Sequence, residues 1–222
     1  MGCGKMKIVE ARSRSFVIWR SEILRLLQAE KPARDSLIFE LSALMGFRTK
    51  EVSTWRIEWT NFQTEETLVL DAKKHKLIPL PLSRVVARHL EEVANGRSNG
   101  LVVRNESTAC RGRETPLTNK AFLDLYHKYA AKLGLFPSSD EYSPVVLRRF
   151  FAAEWYYHQK LSLMTLSRLM RHSDVKITLS YVNKLIFDED IKRDFHKFES
   201  EMQQSTLGFT ETIPSVVSVN EP

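Results

Sequence analysis

The stretch LRRFFAAEWYYHQKLSLMTLSRLMRHSDVKITLSY, from Leu147 to Tyr181, decides how the rest of this 222-residue chain is interpreted. It begins with two arginines, Arg148 and Arg149, and it reaches His172 before it ends on Tyr181. Arginine binds phosphate through a planar fork of N–H donors, and histidine exchanges a proton near neutral pH. Tyrosine can act as a covalent nucleophile. On a basic chain these side chains together suggest chemistry on a phosphate group.

This stretch resembles the C-terminal motif of the tyrosine recombinases, the phage integrase family. Residues 147–152, LRRFFA, correspond to its H-x-L-R-H-T-F-A element, and residues 169–173, LMRHS, correspond to its L-G-H-S element. Tyr181 follows His172 by nine residues, as in the family. Upstream, residues 45–52, MGFRTKEV, resemble the family's T-G-L-R-x-x-E-L box. The elements occur in the family's order, and the resemblance covers about residues 30 to 200.

The resemblance implies a catalytic site centred on a tyrosine. In such a site Tyr181 attacks a scissile DNA phosphate and forms a 3′-phosphotyrosine link. Arg48 and Arg148 stabilise the charge on the phosphoryl oxygens, and His172 assists by hydrogen bonding or proton transfer. The activity implied is that of a site-specific DNA recombinase, an integrase of a mobile element that cuts and rejoins DNA.

The resemblance also implies a catalytic lysine on a β-hairpin. Residues 67–70 and 77–80 alternate like two short strands, and the basic segment DAKKHK joins them. In the family, the lysine at such a hairpin protonates the leaving 5′-oxygen. Lys73 is the first candidate, Lys74 is the alternative and Lys76 comes last.

Supporting residues and departures from the family pattern surround these candidates. Glu51, in the box G-F-R-x-x-E, is expected to buttress the arginine of that box rather than to do chemistry. Val145 stands where the family usually has a histidine, so one polar contact to the phosphate is missing. Arg149 can compensate in part, and Arg171, which replaces a glycine, is expected to add a phosphate contact.

These departures leave two alternative functions open. A catalytically degenerate DNA-binding protein of the same fold is one, and Val145 is the residue that motivates it. A type IB topoisomerase-like enzyme, with the same nucleophile but without strand exchange, is the other. Substitution of Tyr181 by phenylalanine distinguishes a binding protein, which would be indifferent, from an enzyme, which would lose strand cleavage.

Composition supports a polyanionic partner. The net charge is +6, but the residues from Leu185 onward carry −5, so that residues 1–184 carry +11. A basic body of this kind fits double-stranded DNA. No apolar run is long enough for a membrane span, and two cysteines cannot form a disulfide framework or a zinc site. No Walker A loop or cluster of metal ligands is present in the sequence, so neither a cofactor nor a metal is expected.

The fold class predicted is α+β and mostly helical, with a small antiparallel β-hairpin or sheet. An N-terminal arm and helix are expected at residues 1–30 and the integrase-like catalytic domain at 31–184. A helix at 185–202, which can be exchanged between protomers, and a disordered tail at 203–222 complete the chain. The protein is expected in the cytoplasm or nucleoid of a host cell, as a dimer or tetramer on DNA.

Local signals predict individual helices. Apolar spacing predicts one amphipathic helix over 16–27, and Trp155 is expected on the buried side of the helix that carries Arg148. Further helix starts are expected at Asp35 or Ser36, Ser83, Thr118, Ser143 with Pro144, Ser162 and Ser173.

Overall fold

A computed structural model describes residues 16–18, 20–71, 75–105, 114–135, 143–183, 185–187 and 196. The helices are α1 (Arg20–Gln28), α2 (Ala33–Leu44), α3 (Thr49–Thr54), α4 (Arg84–Ala94), α5 (Asn119–Leu133), α6 (Val145–Ala153), α7 (Leu163–Leu169) and α8 (Val175–Val182). The strands are β1 (Phe16–Ile18), β2 (Thr60–Asn61), β3 (Glu66–Asp71), β4 (Lys76–Pro81) and β5 (Leu185–Phe187). The fold is therefore mostly helical with a small antiparallel sheet, as predicted. None of the helices in these ranges has the length and apolar character needed to span a bilayer.

The antiparallel sheet has the order β2-β3-β4. Strands β3 and β4 form the predicted hairpin, with Thr67 opposite Leu80 and Asp71 opposite Lys76. Strand β2 is too short to have been recognised from the sequence. The hairpin tip, which holds Lys73 and Lys74, lies outside the described residues.

A second, two-stranded sheet shows that the helices predicted near the two ends of the chain were partly wrong. Strand β1 pairs in parallel with β5, and Phe16 lies opposite Leu185. The helix predicted over 16–27 therefore begins only at Arg20, and the first residues of the helix predicted over 185–202 are a strand. Short apolar runs fit either period, and a pairing partner more than 160 residues away along the chain leaves no local signal.

Helix α2 lies at the centre of the core. It is buried from Asp35 to Ala43 and packs against α4 and α6. On the α5 side, the ring of Phe39 packs against Tyr126 and Tyr129 with edge-to-face geometry, at centroid distances of 6.4 and 5.7 Å. This central helix ends beside the first arginine of the predicted site.

Helix starts agree with the capping signals at some positions and not at others. The hydroxyls of Thr118 and Ser162 accept backbone N–H groups at their helix starts, as predicted. The predicted caps Asp35 and Ser36 are wrong, because α2 already begins at Ala33 and Asp35 bonds to side chains instead. At α8 the cap is Asp174 rather than Ser173.

The end of α6 changes its helical geometry. Residues Glu154–His158 form a π-helical segment, which widens the turn and rotates the following side chains. Trp155 is consequently 36% exposed, contrary to its predicted burial. The helix that carries Arg148 also starts one residue later than predicted, because Pro144 occupies the N-cap position.

Candidate active site

The turn after α2 supplies the framework of the candidate site. Gly46 has φ of +61° and is buried, and a Cβ at this position would lie 2.6 Å from the ring of Phe151. Glycine is therefore required both for its backbone conformation and for the close approach of the ring. The Gly46 carbonyl oxygen accepts hydrogen bonds from the guanidinium groups of Arg148 and Arg171.

Arg48 lies at the N-cap position of α3, where the backbone is extended. Its Nη1 donates to Glu51 Oε1 at 2.7 Å, and its backbone N–H donates to Glu51 Oε2 at 2.7 Å. The side chain is 43% exposed, so it is held at one side and open to solvent at the other. Glu51 therefore contacts Arg48 at both its side chain and its backbone.

Glu51 is a buried carboxylate shared by several cations. Arg171 donates to it twice, from Nε at 3.1 Å and from Nη2 at 2.6 Å, and Arg148 Nη1 lies 3.8 Å away. Burial alone would raise the pKa of Glu51, but the charge and hydrogen bonds of Arg171 and the backbone N–H of Arg48 outweigh it, so the pKa is lowered. Glu51 is therefore ionised at neutral pH.

Arg148 is almost completely enclosed. Besides the Gly46 carbonyl, it donates from Nη2 to the Met170 carbonyl oxygen at 2.7 Å, and the same Nη2 lies 3.5 Å from His172 Nε2. Burial, followed by the positive charges of Arg171 and Arg48, lowers the pKa of Arg148 to about 9. Arg148 still carries its positive charge at neutral pH, and the negative charge of Glu51 only partly compensates the positive charges around it.

His172 lies in the turn before α8 and is neutral. Burial, then the charges of Arg148 and Arg48, lower its pKa to about 4. Its Nδ1 lies 2.9 Å from the hydroxyl of Thr178, which is fully buried. Because the Arg148 guanidinium can only donate, we assign the lone pair that faces it to Nε2 and the proton to Nδ1.

Tyr181 lies on α8, with its ring edge-to-face to His172 at a centroid distance of 6.0 Å. Its hydroxyl is buried, yet it makes no hydrogen bond of standard geometry with any described residue. Burial raises the pKa of the Tyr181 phenol, while the charges of Arg148 and of Arg149, which is near enough to donate a hydrogen bond, oppose the rise. A buried hydroxyl without a regular partner is costly, which is typical of a reactive group.

A cavity of about 380 Å³ opens beside these groups, between α3, the end of β3 and the turn before α8. Arg48, His172 and Ser173 line it. Lys50 and Asp71 line it as well, and the sequence analysis did not single them out. Lys50 stands inside the G-F-R-x-x-E box, directly before Glu51, and that position was the available signal.

The structure brings most of the predicted site residues together. Arg48 and Glu51 come from α3 and its cap, Arg148 from α6, His172 from the turn before α8 and Tyr181 from α8. Lys76 is exposed at the start of β4, while Lys73 and Lys74 lie outside the described residues. Val145 is 47% exposed. Within the described ranges no group of three His, Cys, Asp or Glu side chains is arranged to hold a metal ion.

Arg171 is the exception to its predicted role. Its side chain has no exposed surface, and its donors are directed at Glu51, Gly46 and the Leu169 carbonyl oxygen. Arg171 is among the residues that line the cavity, but its three side-chain nitrogens already donate to these protein acceptors. The geometry therefore favours a role within the protein over the expected phosphate contact.

A model of a known protein family matches most of this chain. The family model described as the phage integrase family matches residues 17–186, well over half of the chain. The chain belongs to the phage integrase family. No curated protein sequence matches it.

Solved structures with the same fold are tyrosine recombinases and integrases. The XerA recombinase structure is similar with a TM-score of 0.66 at 16% identity, over 84% of this chain and 65% of that one. The integrase of mycobacterium phage Brujita gives 0.60 at 16% identity, over 83% and 60%. The XerH site-specific recombinase bound to difH substrate gives 0.60 at 17% identity, over 82% and 54%. The phage integrase chain described here thus spans less than two thirds of the length of each.

Proposed function

We propose that this protein is a DNA strand transferase, a site-specific recombinase that cuts and rejoins DNA through a 3′-phosphotyrosyl intermediate. The observation that carries the proposal is the convergence of Arg48, Arg148, neutral His172 and the buried hydroxyl of Tyr181. Transesterification of a phosphodiester requires cationic groups that stabilise the phosphoryl oxygens, a proton acceptor and a nucleophile, and these residues can supply all three.

In the proposed reaction Tyr181 Oη attacks the phosphorus atom, and the bond from phosphorus to the 5′-oxygen breaks. The phenol proton can pass to His172 Nε2, the unprotonated nitrogen of the neutral imidazole, once its long contact of 3.5 Å with Arg148 Nη2 is given up. The leaving 5′-oxygen takes a proton from a hairpin lysine, Lys73 or Lys74. In the second step a 5′-hydroxyl gives its proton to the hairpin lysine and attacks the phosphotyrosine. The bond from phosphorus to Tyr181 Oη breaks, and the phenol oxygen takes its proton back from His172.

The arginines serve different stages of this chemistry. Arg48 is half exposed and can meet the phosphate as it enters the cavity. Arg148 is held by two backbone carbonyls, so its positive charge is fixed in place before charge develops on the phosphoryl oxygens. Burial raises the pKa of the Tyr181 phenol, and the charges of these arginines oppose that rise, which lowers the cost of forming the phenolate.

Double-stranded DNA is the proposed partner. The XerH structure is a complex with its difH substrate, and an integrase of the Tn1549 transposon, similar with a TM-score of 0.62 at 11% identity, is a complex with transposon right end DNA. The +11 charge of residues 1–184 favours the same kind of ligand. The protein would then act in the cytoplasm or nucleoid, where DNA is accessible.

Assembly into a dimer or tetramer on DNA is part of the proposal. An apolar cavity of about 550 Å³, lined by Leu44, Leu82, Phe150 and Trp155, is open on the surface. Apolar residues at helical spacing in 191–202 could fill such a cavity on a neighbouring chain.

A covalent-trapping assay tests the proposed function. The full chain is incubated, without added metal, with nicked duplexes from the DNA that flanks its own gene and with a pool of randomised nicked duplexes. A denaturing gel should show a DNA–protein adduct with the wild type and with Tyr156→Phe, a neighbouring tyrosine outside the site, but not with Tyr181→Phe. Salt-sensitive binding without any adduct would instead favour the degenerate DNA-binding protein. Relaxation of supercoiled plasmid without recombinant products would favour the topoisomerase-like enzyme.

A further inference from the structure

Arg171 combines a strained backbone with a completely buried charge. Its φ is +55°, in the left-handed region that costs a non-glycine residue about 1 kcal/mol. Its side chain has no exposed surface, although burial of a charge is costly unless the group is fully paired. A glycine would remove both penalties, so the side chain must contribute something that offsets them.

We propose that Arg171 is a positioning residue for the two arginines of the site, Arg48 and Arg148. It acts through two acceptors that it shares with them, the Glu51 carboxylate and the Gly46 carbonyl oxygen. The inference rests on the proposed function, since it concerns how the phosphate-binding arginines of that reaction are held.

The Glu51 carboxylate connects Arg171 to Arg48. Arg171 Nε and Nη2 donate to its two oxygens at 3.1 and 2.6 Å. The same two oxygens accept the Arg48 Nη1 and the Arg48 backbone N–H, each at 2.7 Å. The two donors of Arg171 fix the orientation of the Glu51 carboxylate. Because Arg48 binds the same two oxygens, the direction of the Arg48 side chain depends on the guanidinium of Arg171.

The Gly46 carbonyl connects Arg171 to Arg148. Arg171 Nη2 donates to this oxygen at 2.7 Å, and Arg148 Nη1 donates to the same atom. The peptide between Gly46 and Phe47 is therefore held from the inside by two guanidinium groups. The Arg171 guanidinium also lies over the Phe47 ring, 5.2 Å from its centroid. This cation–π contact joins Arg171 to the residue that follows Gly46 in the turn.

A planar guanidinium is needed for this arrangement. Nε, Nη1 and Nη2 of Arg171 reach three different groups, Glu51, the Leu169 carbonyl and Gly46. A lysine ammonium at this position would keep the charge but could not bridge these acceptors in one plane. The Arg171→Lys variant therefore keeps the positive charge but removes the planar set of hydrogen bonds. It distinguishes a positioning role from a general electrostatic effect of the charge.

The test compares Arg171→Gly and Arg171→Lys with the wild-type chain. The glycine relieves the backbone strain, so it should fold, which circular dichroism checks. Single-turnover adduct formation should fall about 10²-fold in both variants, as expected for misplaced catalytic groups, while DNA affinity stays close to that of the wild type. Tyr129→Phe, which removes a buried hydrogen bond far from the site, is the matched control and should keep the wild-type rate.

A second readout does not depend on catalysis. In ¹⁵N-labelled protein, the guanidinium signals of Arg48 and Arg148 should be resolved in the wild type, because hydrogen bonds restrict their rotation, and averaged in both Arg171 variants. Retention of these signals, or of the adduct rate in Arg171→Lys, would overturn the positioning role. If the wild type forms no adduct on any DNA, the proposed function fails, and the guanidinium signals still decide the role of Arg171.

Discussion

Two polar clusters in this protein contain similar groups but differ in their balance of charge. The core cluster, between α2, α4 and α5, consists of Lys31, Arg34, Asp35, Glu40, His89 and Tyr129. The site cluster consists of Arg48, Glu51, Arg148, Arg171, His172 and Tyr181.

In the core cluster, the charged groups are matched. Asp35 accepts from Arg34 at 2.9 Å and from the Tyr129 hydroxyl at 2.8 Å, and Glu40 lies 2.7 Å from Nδ1 of His89. Lys31 interacts electrostatically with Glu40 and Asp35 and donates hydrogen bonds to the Leu26 and Leu27 carbonyls in the last turn of α1. The charges of Lys31 and Arg34 thus face the two carboxylates of Asp35 and Glu40, and the carboxylates have Tyr129 and His89 as further hydrogen-bond partners. No excess of positive charge is left in this cluster for a ligand to neutralise.

In the site cluster, three guanidinium groups face one carboxylate, Glu51. Two positive charges remain uncompensated beside an open cavity. Burial, and after it these neighbouring charges, lower the pKa of Arg148 and of His172. The positive and negative charges are balanced in the core cluster, whereas the site cluster has an excess of positive charge. The difference indicates that the site cluster is completed by an anion, which under the proposed function is a DNA phosphate.

The largest effect is expected for Arg148→Ala. This variant removes a preorganised donor and leaves the Gly46 and Met170 carbonyls without it, so single-turnover adduct formation should fall about 10³-fold. Gel-based kinetics on a trapped substrate measure it, with Arg34→Ala in the core cluster as control. An equal loss in the control would mean that folding, rather than phosphate binding, was affected.

Glu51→Gln should destabilise the fold, because three buried or half-buried arginines lose their shared anion. The free energy of unfolding should fall by about 3 kcal/mol, measured by urea denaturation. The control is Glu154→Gln, which removes a partly exposed pair with Arg20 and should cost less than about 1 kcal/mol. Equal losses would show that the site cluster is no more dependent on its carboxylate than a surface pair.

The lowered pKa of Glu51 also predicts a pH dependence. A carboxylate whose folded pKa is lowered stabilises the fold above its unfolded pKa, and this contribution disappears as the pH falls through the folded pKa. Acid unfolding of the wild type should contain this component, and Glu51→Gln should lack it. Identical acid-unfolding curves would contradict the assignment.

The imidazole of His172 should titrate far below its ordinary range. With a folded pKa of about 4, against 6.5 for the free side chain, it favours the folded state above pH 6.5 and loses that contribution as the pH falls towards 4. Bound DNA brings negative charge and should raise this pKa. NMR titration with and without DNA measures both values, and an unchanged pKa on DNA would mean that no phosphate lies near His172.

The smallest effect is expected in the core cluster. Tyr129→Phe deletes the hydrogen bond to Asp35 and should cost about 1 kcal/mol of stability without a change in DNA binding or adduct formation. Thermal unfolding and the trapping assay together measure this. A loss of DNA affinity would show that the core cluster, too, takes part in binding.

The sequence by itself determined which residues carry the proposed chemistry. Arg48, Arg148, His172 and Tyr181 stand in motifs of fixed spacing, and side-chain chemistry follows directly from residue type. The main helices and the β3–β4 hairpin were also predictable, because apolar periodicity and capping residues such as Thr118 and Ser162 act locally.

Tertiary structure alone decided how those residues are held. The pairing of β1 with β5, the burial of Asp35 inside α2 and the exposure of Trp155 depend on contacts between distant segments, which leave no local pattern. Arg171 is the clearest case. Its charge suggested a phosphate ligand, but only the folded chain places it without exposed surface between Glu51 and Gly46, where the pairing of a buried charge outweighs its attraction to a ligand.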